Sequence, residues 1–145
     1  MAGDLSYTLV NASRWRFGRS FKPFRRPWLW VGLWALGIAA VVVASLLPAP
    51  DLPDLRVSDK SEHFSAYALL AAGAVQLYAR RLSWFAVCIA LALLGIGLEF
   101  AQGALTTTRT MDAADALANS LGVLAGLATS LTPWRDALLR HEPGR

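Results

Sequence analysis

The chain has a single cysteine among its 145 residues, and it lacks the signature motifs of several common enzyme classes. Cys88 alone permits no disulfide within the chain, and its place in an apolar stretch indicates a small apolar filler. The sequence has no HExxH or paired-cysteine spacing, no Gly-x-Ser-x-Gly elbow and no glycine-rich phosphate loop. These absences argue against zinc, serine-nucleophile and phosphate sites of the usual kinds.

Charged residues are also scarce within four long apolar stretches. The composition is 55% hydrophobic and 17% charged, and the charges are grouped between the stretches. A soluble domain would spread its charges along amphipathic helices with a period near 3.6. Each stretch is close to the roughly 20 residues that a helix needs to cross a bilayer. The four stretches are 29–47, 62–78, 82–101 and 111–131. The sequence therefore predicts an all-α membrane protein with four transmembrane helices in a compact bundle.

The basic residues indicate the orientation of the chain. Of the fourteen, six precede the first stretch, Arg80 and Arg81 separate the second from the third, and three follow the fourth. The positive-inside rule places these segments, and so both termini, in the cytoplasm. The connections 48–61 and 103–110 then lie outside. This pattern predicts a multi-pass membrane protein, and the net charge of +4 is not arranged for binding nucleic acid.

These features divide the chain into a basic, aromatic cytoplasmic tail (1–27), a four-helix membrane domain (28–132) and a polar cytoplasmic tail (133–145). The first apolar stretch is longer than the core of a signal peptide, and no A-x-A cleavage site follows it, so it is predicted to be a retained anchor. Tryptophans near the stretch ends are expected in the interfacial aromatic belt. They are Trp28, Trp30, Trp34, Trp84 and Trp134.

The second and third stretches each carry polar residues toward the same predicted membrane surface. Asp59, His63 and Tyr67 are four residues apart, so they stack on one face of the second helix. Glu99 and Gln102 are three apart at the end of the third helix. Because the second helix begins and the third ends on the outer side, we expect the two sets to meet there.

The fourth stretch joins a polar beginning to a stripe of small residues. Asp115, Asn119, Gly122 and Gly126 follow the spacing i, i+4, i+7 and i+11, which places them on one helical face. Small residues let membrane helices approach closely. The stripe is therefore predicted to face the bundle and to carry Asp115 and Asn119 inward.

Ionisable groups are costly at membrane depth, so their convergence predicts a site. Its expected ligand-binding residues are Asp59, Lys60, His63, Tyr67, Glu99, Gln102, Arg109, Asp112, Asp115 and Asn119. Glu99 needs a partner or a proton, and Arg109 is its natural partner, with Lys60 and protonated His63 as the others. Arg109 with Lys60 could grip an anionic headgroup such as a lipid phosphate.

The chemistry of this site stays open at the level of sequence. His63 and Glu99 are the candidate catalytic residues, as carriers of a proton. A metal held by His63 with Glu99, Asp112 and Asp115 is disfavoured because Lys60 and Arg109 lie beside these carboxylates, and no cofactor is expected. The alternatives are a structural clasp that closes the helices and a small proton-coupled exporter working as a homo-oligomer, although no internal repeat supports a transporter of fused inverted repeats.

Three motifs in this order resemble those of the VanZ-like membrane proteins, over about residues 48–126. They are Asp59-Lys60-x-x-His63-Phe64-x-x-Tyr67, Glu99-Phe100-x-Gln102 and Arg109-x-x-Asp112-x-x-Asp115-x-x-x-Asn119-x-x-Gly122. The longer basic, aromatic N-terminal tail departs from the family. The resemblance implies a small helical protein of the bacterial plasma (inner) membrane with an outward-facing site. From the cationic residues of this site, we expect its ligand to be an anionic amphiphile, such as a membrane lipid or a lipid-linked cell-wall precursor. The family takes its name from a member associated with resistance to the glycopeptide antibiotic teicoplanin, so a link to such resistance is a further expectation.

Overall fold

The computed structural model describes residues 20–47, 58–105 and 111–142, and over these ranges the regular elements are helices. The predicted all-α class is confirmed. The four long helices are α1 (Pro27–Leu46), α2 (Asp59–Leu77), α3 (Arg81–Leu105) and α4 (Ala113–Ala128). After them come two 3-10 turns, Thr129–Leu131 and Pro133–Asp136, and the short helix α5 (Ala137–His141).

Three segments of this fold are long and apolar enough to cross a membrane: α1, α3, and α4 with its 3-10 extension to Leu131. The helix α2 has 19 residues, but its first turn carries Asp59, Lys60 and Glu62, which lower its average hydropathy. Four spans and the orientation of the termini therefore stay predictions. Large apolar side chains cover the outer surfaces of α1, α3 and α4, as at Leu36 (66% exposed) and Ile89 (61%). Such an extended apolar surface is typical of a protein that contacts lipid.

Each of α2 and α4 begins at a side chain that caps its first turn. The Ser58 hydroxyl accepts a hydrogen bond from the Ser61 amide at 3.3 Å, and the Asp112 carboxylate accepts one from the Ala114 amide at 2.8 Å. A cap of this kind satisfies an amide that has no partner within the helix. Of the two caps expected for α2, Ser58 or Asp59, the structure has Ser58.

The closest helix contact in the bundle joins α4 to α2 through the predicted glycine stripe. A Cβ atom added at Gly122 would overlap the carbonyl oxygen of Phe64, and one at Gly126 would overlap that of Ala68 and lie 2.7 Å from the Ala71 Cβ. Both glycines are buried. The prediction that this stripe faces another helix is confirmed, and it sets how deeply the polar residues of α4 lie in the bundle.

The indoles of two tryptophans that were expected at the lipid interface donate to backbone carbonyl groups of the bundle. The Trp34 indole lies against Gly73, whose added Cβ would be 2.6 Å from it, and its N–H donates to the Leu70 carbonyl at 2.8 Å. Trp84 is buried and donates to the Tyr78 carbonyl at 2.6 Å. Each indole N–H thus finds a backbone acceptor within the bundle, and the interfacial position of these two side chains stays a prediction.

The segment before α1 pairs with the chain that follows α2. The Lys22 amide donates to the Leu77 carbonyl at 2.8 Å, and the Ala79 amide donates to the Ser20 carbonyl at 2.7 Å. The Lys22 side chain is buried, and its amine forms an ion pair with Asp136 at 2.9 Å. The chain before α1 and the chain after α4 thus meet at one end of the bundle, here called the basic end (Lys22, Leu77 and Asp136).

Candidate functional site

The opposite end of the bundle, here called the polar end, is where α2 and α4 begin and α3 ends. The first two turns of α2 place Asp59, His63 and Tyr67 on one face, as predicted. The His63 Nε2 atom is 3.9 Å from an Asp59 carboxylate oxygen. Tyr67 lies one turn deeper and is 1% exposed, and its hydroxyl has no hydrogen-bond partner in the part of the chain that the structure describes.

Asn119 of α4 orients the His63 ring. The His63 Nδ1 atom lies 3.0 Å from the Asn119 Oδ1 atom. In this arrangement the Asn119 oxygen accepts a hydrogen bond from the Nδ1–H group, and the Nε2 atom faces Asp59. Asn119 is held in place because it is 1% exposed and packs against Gly95 of α3, whose added Cβ would lie 3.0 Å from the Asn119 Cβ. Asn119 thus holds the His63 ring with its Nε2 atom toward Asp59.

Lys60 neutralises the beginning of α4. Its amine is 3.1 Å from Asp112 Oδ2 and 3.5 Å from Asp115 Oδ1. The Asp112 carboxylate thus accepts hydrogen bonds from both the Ala114 amide and the Lys60 amine. The Lys60 side chain is 56% exposed, and exposed pairs contribute little to stability. Its main effect is to balance the local charge.

Glu99 is the most deeply buried acid of the polar end, at 1% exposure. Its Oε2 atom accepts the backbone N–H of Asp112 at 3.3 Å, so the carboxylate lies at the N-terminus of α4, where the helix dipole favours negative charge. Its Oε1 atom has no hydrogen-bond partner among the described residues. Arg109, the predicted partner of Glu99, lies outside the described residues, so that pairing stays a prediction.

Gln102 connects α3 to α1. Its side-chain amide donates to the Ser45 carbonyl at 2.9 Å, and both residues are buried. Ser45 did not figure among the predicted site residues. The signal that could have found it is a polar residue next to the end of an otherwise apolar stretch.

Lys22, at the basic end, was also missed, because in the sequence it is one of several basic residues in a tail.

The structure brings together all the predicted site residues that it describes. Their contacts link α2 to α4 through Lys60 and His63, α3 to α4 through Glu99, and α3 to α1 through Gln102. These contacts join the helices to one another, which is the geometry expected of the structural clasp, one of the alternatives raised by the sequence. A clasp and a binding site are compatible, because the contacts leave buried polar atoms of Tyr67, Glu99 and Asp115 without hydrogen bonds among the described residues.

A cavity of about 160 Å³ opens beside this clasp, between α1 and α2. Its α1 wall is mostly apolar, whereas its α2 wall changes from apolar to acidic along the helix. The lining residues are Val41, Ala44 and Ser45 of α1 and Asp59, Glu62, His63, Ala66 and Tyr67 of α2. A cavity with one apolar wall and one polar rim suits a ligand that is itself amphiphilic.

Three side chains of the polar end also have the donor types and spacing of a metal site. Each of these side chains offers one ligand atom, and the three atoms lie within 4.8 Å of one another. The residues are Asp59, His63 and Asp115. This set differs from the one considered at the level of sequence, because it contains Asp59 and leaves out Glu99 and Asp112. Both of those are engaged elsewhere, Glu99 with the Asp112 amide and Asp112 with Lys60 and the Ala114 amide.

No family model, curated protein or solved structure matches the chain. The resemblance to VanZ-like proteins stays a prediction, and the function has to be argued from the polar end itself.

Proposed function

We propose that the chain is a four-span, VanZ-like protein of the bacterial plasma membrane with its polar end outside and both termini in the cytoplasm. The three apolar segments support a membrane location. The helix α2 lies between α1 and α3 in sequence and contacts both, as well as α4. A helix enclosed in this way can carry polar residues across a bilayer, because its neighbours separate them from lipid.

The function that the geometry supports best is binding of an amphiphile at the outer leaflet. The observation that carries this proposal is the cavity between α1 and α2, whose wall at Val41, Ala44 and Ala66 fits an acyl or prenyl chain. Its rim, at Asp59 and His63, fits a polar headgroup. Membrane lipids and lipid-linked cell-wall precursors have this chemistry.

We propose that the headgroup is anionic, with Lys60 and Arg109 as its cationic contacts. The Lys60 amine is shared between Asp112 and Asp115, so an incoming phosphate has to replace one of these carboxylates. His63 would act as the proton carrier if the bound molecule is modified, since Asn119 directs its Nε2 lone pair toward the cavity rim. A link to glycopeptide resistance belongs to the same proposal, because teicoplanin is a lipid-bearing antibiotic that acts at the outer face of the membrane.

Native mass spectrometry of the purified protein tests this function, because it weighs the lipids that stay bound. Ala44→Phe fills the cavity and should remove the retained amphiphile. Ala39→Phe adds the same ring to an exposed position of α1 that does not line the cavity, and it should leave retention unchanged. A headgroup without phosphate or carboxylate would contradict the anionic part of the proposal. Equal retention by Ala44→Phe and the wild type would contradict the binding site itself.

One observation favours a second function, the proton-coupled exporter. Glu99 is 1% exposed and has an oxygen without a hydrogen bond among the described residues, as expected of a carboxyl group that takes up and releases a proton. Transport into proteoliposomes driven by a pH gradient, lost in Glu99→Gln, would support it. Amphiphile retention without such transport would leave the binding function alone.

A further inference from the structure

The two helices that form the polar end place three metal-ligating side chains around one point. Asp59 and His63 are one turn apart on α2, and Asp115 faces them from the first turn of α4. Their ligand atoms lie within 4.8 Å of one another. Ligands of tetrahedral zinc are about 3.3 Å apart, given bond lengths of 2.0–2.2 Å. Binding of an ion would therefore have to draw these ligand atoms closer together.

The orientation of His63 is a second and independent sign of a metal ligand. Its Nδ1 atom faces the Asn119 carbonyl oxygen at 3.0 Å, and its Nε2 atom faces Asp59. Metal-ligating histidines nearly always donate their other N–H to such an acceptor, which fixes the tautomer and directs the lone pair. Because Asn119 is 1% exposed, the ring is held in this position before any ion arrives.

The buried oxygen of Asp115 is a third sign. The Asp115 side chain is 9% exposed, and its Oδ1 atom accepts no hydrogen bond from any described residue. The nearest cation is the Lys60 amine at 3.5 Å, which is closer to Asp112 at 3.1 Å. This buried carboxylate oxygen thus has only a long ion pair that it shares with Asp112, and direct coordination of a cation would satisfy it better.

We propose that Asp59, His63 and Asp115 form a divalent-metal site, with Zn²⁺ as the ion that fits it best. One imidazole and two carboxylates suit zinc, and a site with three protein ligands keeps a fourth position for water or for a ligand oxygen. The ion replaces Lys60 as the partner of Asp115, and Lys60 keeps its ion pair with Asp112. This site does not depend on the amphiphile, but a bound ion would take the Nε2 lone pair and so exclude His63 as a proton carrier.

Equilibrium dialysis of the purified full chain against Zn²⁺, with the metal counted by mass spectrometry, tests the site. We expect one ion per chain in the wild type and a loss of affinity of at least about 10-fold in His63→Gln and Asn119→Ala. Asp59→Asn should show the same loss, and because Asp59 is 61% exposed this variant is expected to keep its fold. Lys60→Met should bind Zn²⁺ more tightly, since it removes a competing cation, a gain that damage to the fold cannot mimic.

His141→Gln is the matched control, because it removes the other of the two histidines from an exposed position at the basic end. Its affinity should equal that of the wild type. The proposal is overturned if the folded wild type takes up no stoichiometric Zn²⁺, or if Asp59→Asn and His63→Gln bind it as tightly as the wild type. Weaker binding by Lys60→Met would overturn the arrangement in which the ion replaces Lys60.

Discussion

Gly122 of α4 touches the backbone of α2 at Phe64 so closely that no side chain fits between the two helices. This contact holds Asn119, one turn earlier, against His63. The small-residue stripe and the polar site are therefore parts of one arrangement, in which the glycines set the helix distance that the polar side chains require.

A methyl group at this contact is predicted to force α2 and α4 apart. Gly122→Ala should reduce the free energy of unfolding by about 1–3 kcal/mol, the usual cost of overpacking, and weaken the His63–Asn119 hydrogen bond. Gly97→Ala is the matched control, because a Cβ atom at Gly97 of α3 meets nothing within 4 Å. Unfolding in detergent should separate the two variants. Equal stability would mean that the helices are not in contact as described.

The sequence predicted this part of the molecule well because spacing alone determines which residues share a helical face. Asp115, Asn119, Gly122 and Gly126 turned inward as expected, and so did the polar residues at the end of α3. Contacts between distant segments do not follow from spacing. Trp34 looked interfacial, yet the Leu70 carbonyl of α2 supplies an acceptor for its indole N–H within the bundle.

The basic end is a second place where the structure shows a contact that the sequence did not indicate. Lys22 looked like one of several basic residues in a tail, and nothing in its neighbourhood indicated burial. In the structure its amine donates to the Val75 carbonyl at 2.8 Å and to the Arg135 carbonyl, and it pairs with Asp136. Those acceptors come from the end of α2 and from the chain after α4, so only the assembled fold brings them to one point.

Removal of the buried Lys22 amine is predicted to weaken the contact between the chain before α1 and the chain after α4, and so to lower the free energy of unfolding. Lys22→Met leaves buried carbonyl oxygens without a donor, which costs about 1–3 kcal/mol. Arg25→Met removes a charge from the same segment at an exposed position, and it should leave stability unchanged. Thermal unfolding of both variants checks this. A loss in Arg25→Met as large as that in Lys22→Met would show that general charge, rather than the buried contact, matters.

The same junction should make stability depend on pH in the acid range. The hydrogen bond from Lys22 holds the pKa of Asp136 below its ordinary value of 3.8. A lowered pKa means that the folded state favours the charged carboxylate. Its contribution is therefore complete at pH values above 3.8 and is lost as the pH falls through the lower, folded value.

Unfolding curves measured from neutral pH down to about pH 2 test this linkage in the wild type and in Asp136→Asn. The asparagine variant should start less stable and lose less on acidification. A parallel loss in both proteins would assign the acid sensitivity to other groups.

The orientation of α2 is the central claim, because an outer site requires this helix to cross the membrane with its polar end outside. Ser58 and His141 are exposed residues at the polar and basic ends, and a single cysteine can replace each of them once Cys88→Ala has removed the native thiol. An impermeant maleimide added to intact cells should label Ser58→Cys, and it should label His141→Cys only after the membrane is permeabilised. Labelling of both positions in intact cells, or of His141→Cys alone, would contradict the four-span topology and the outward-facing site.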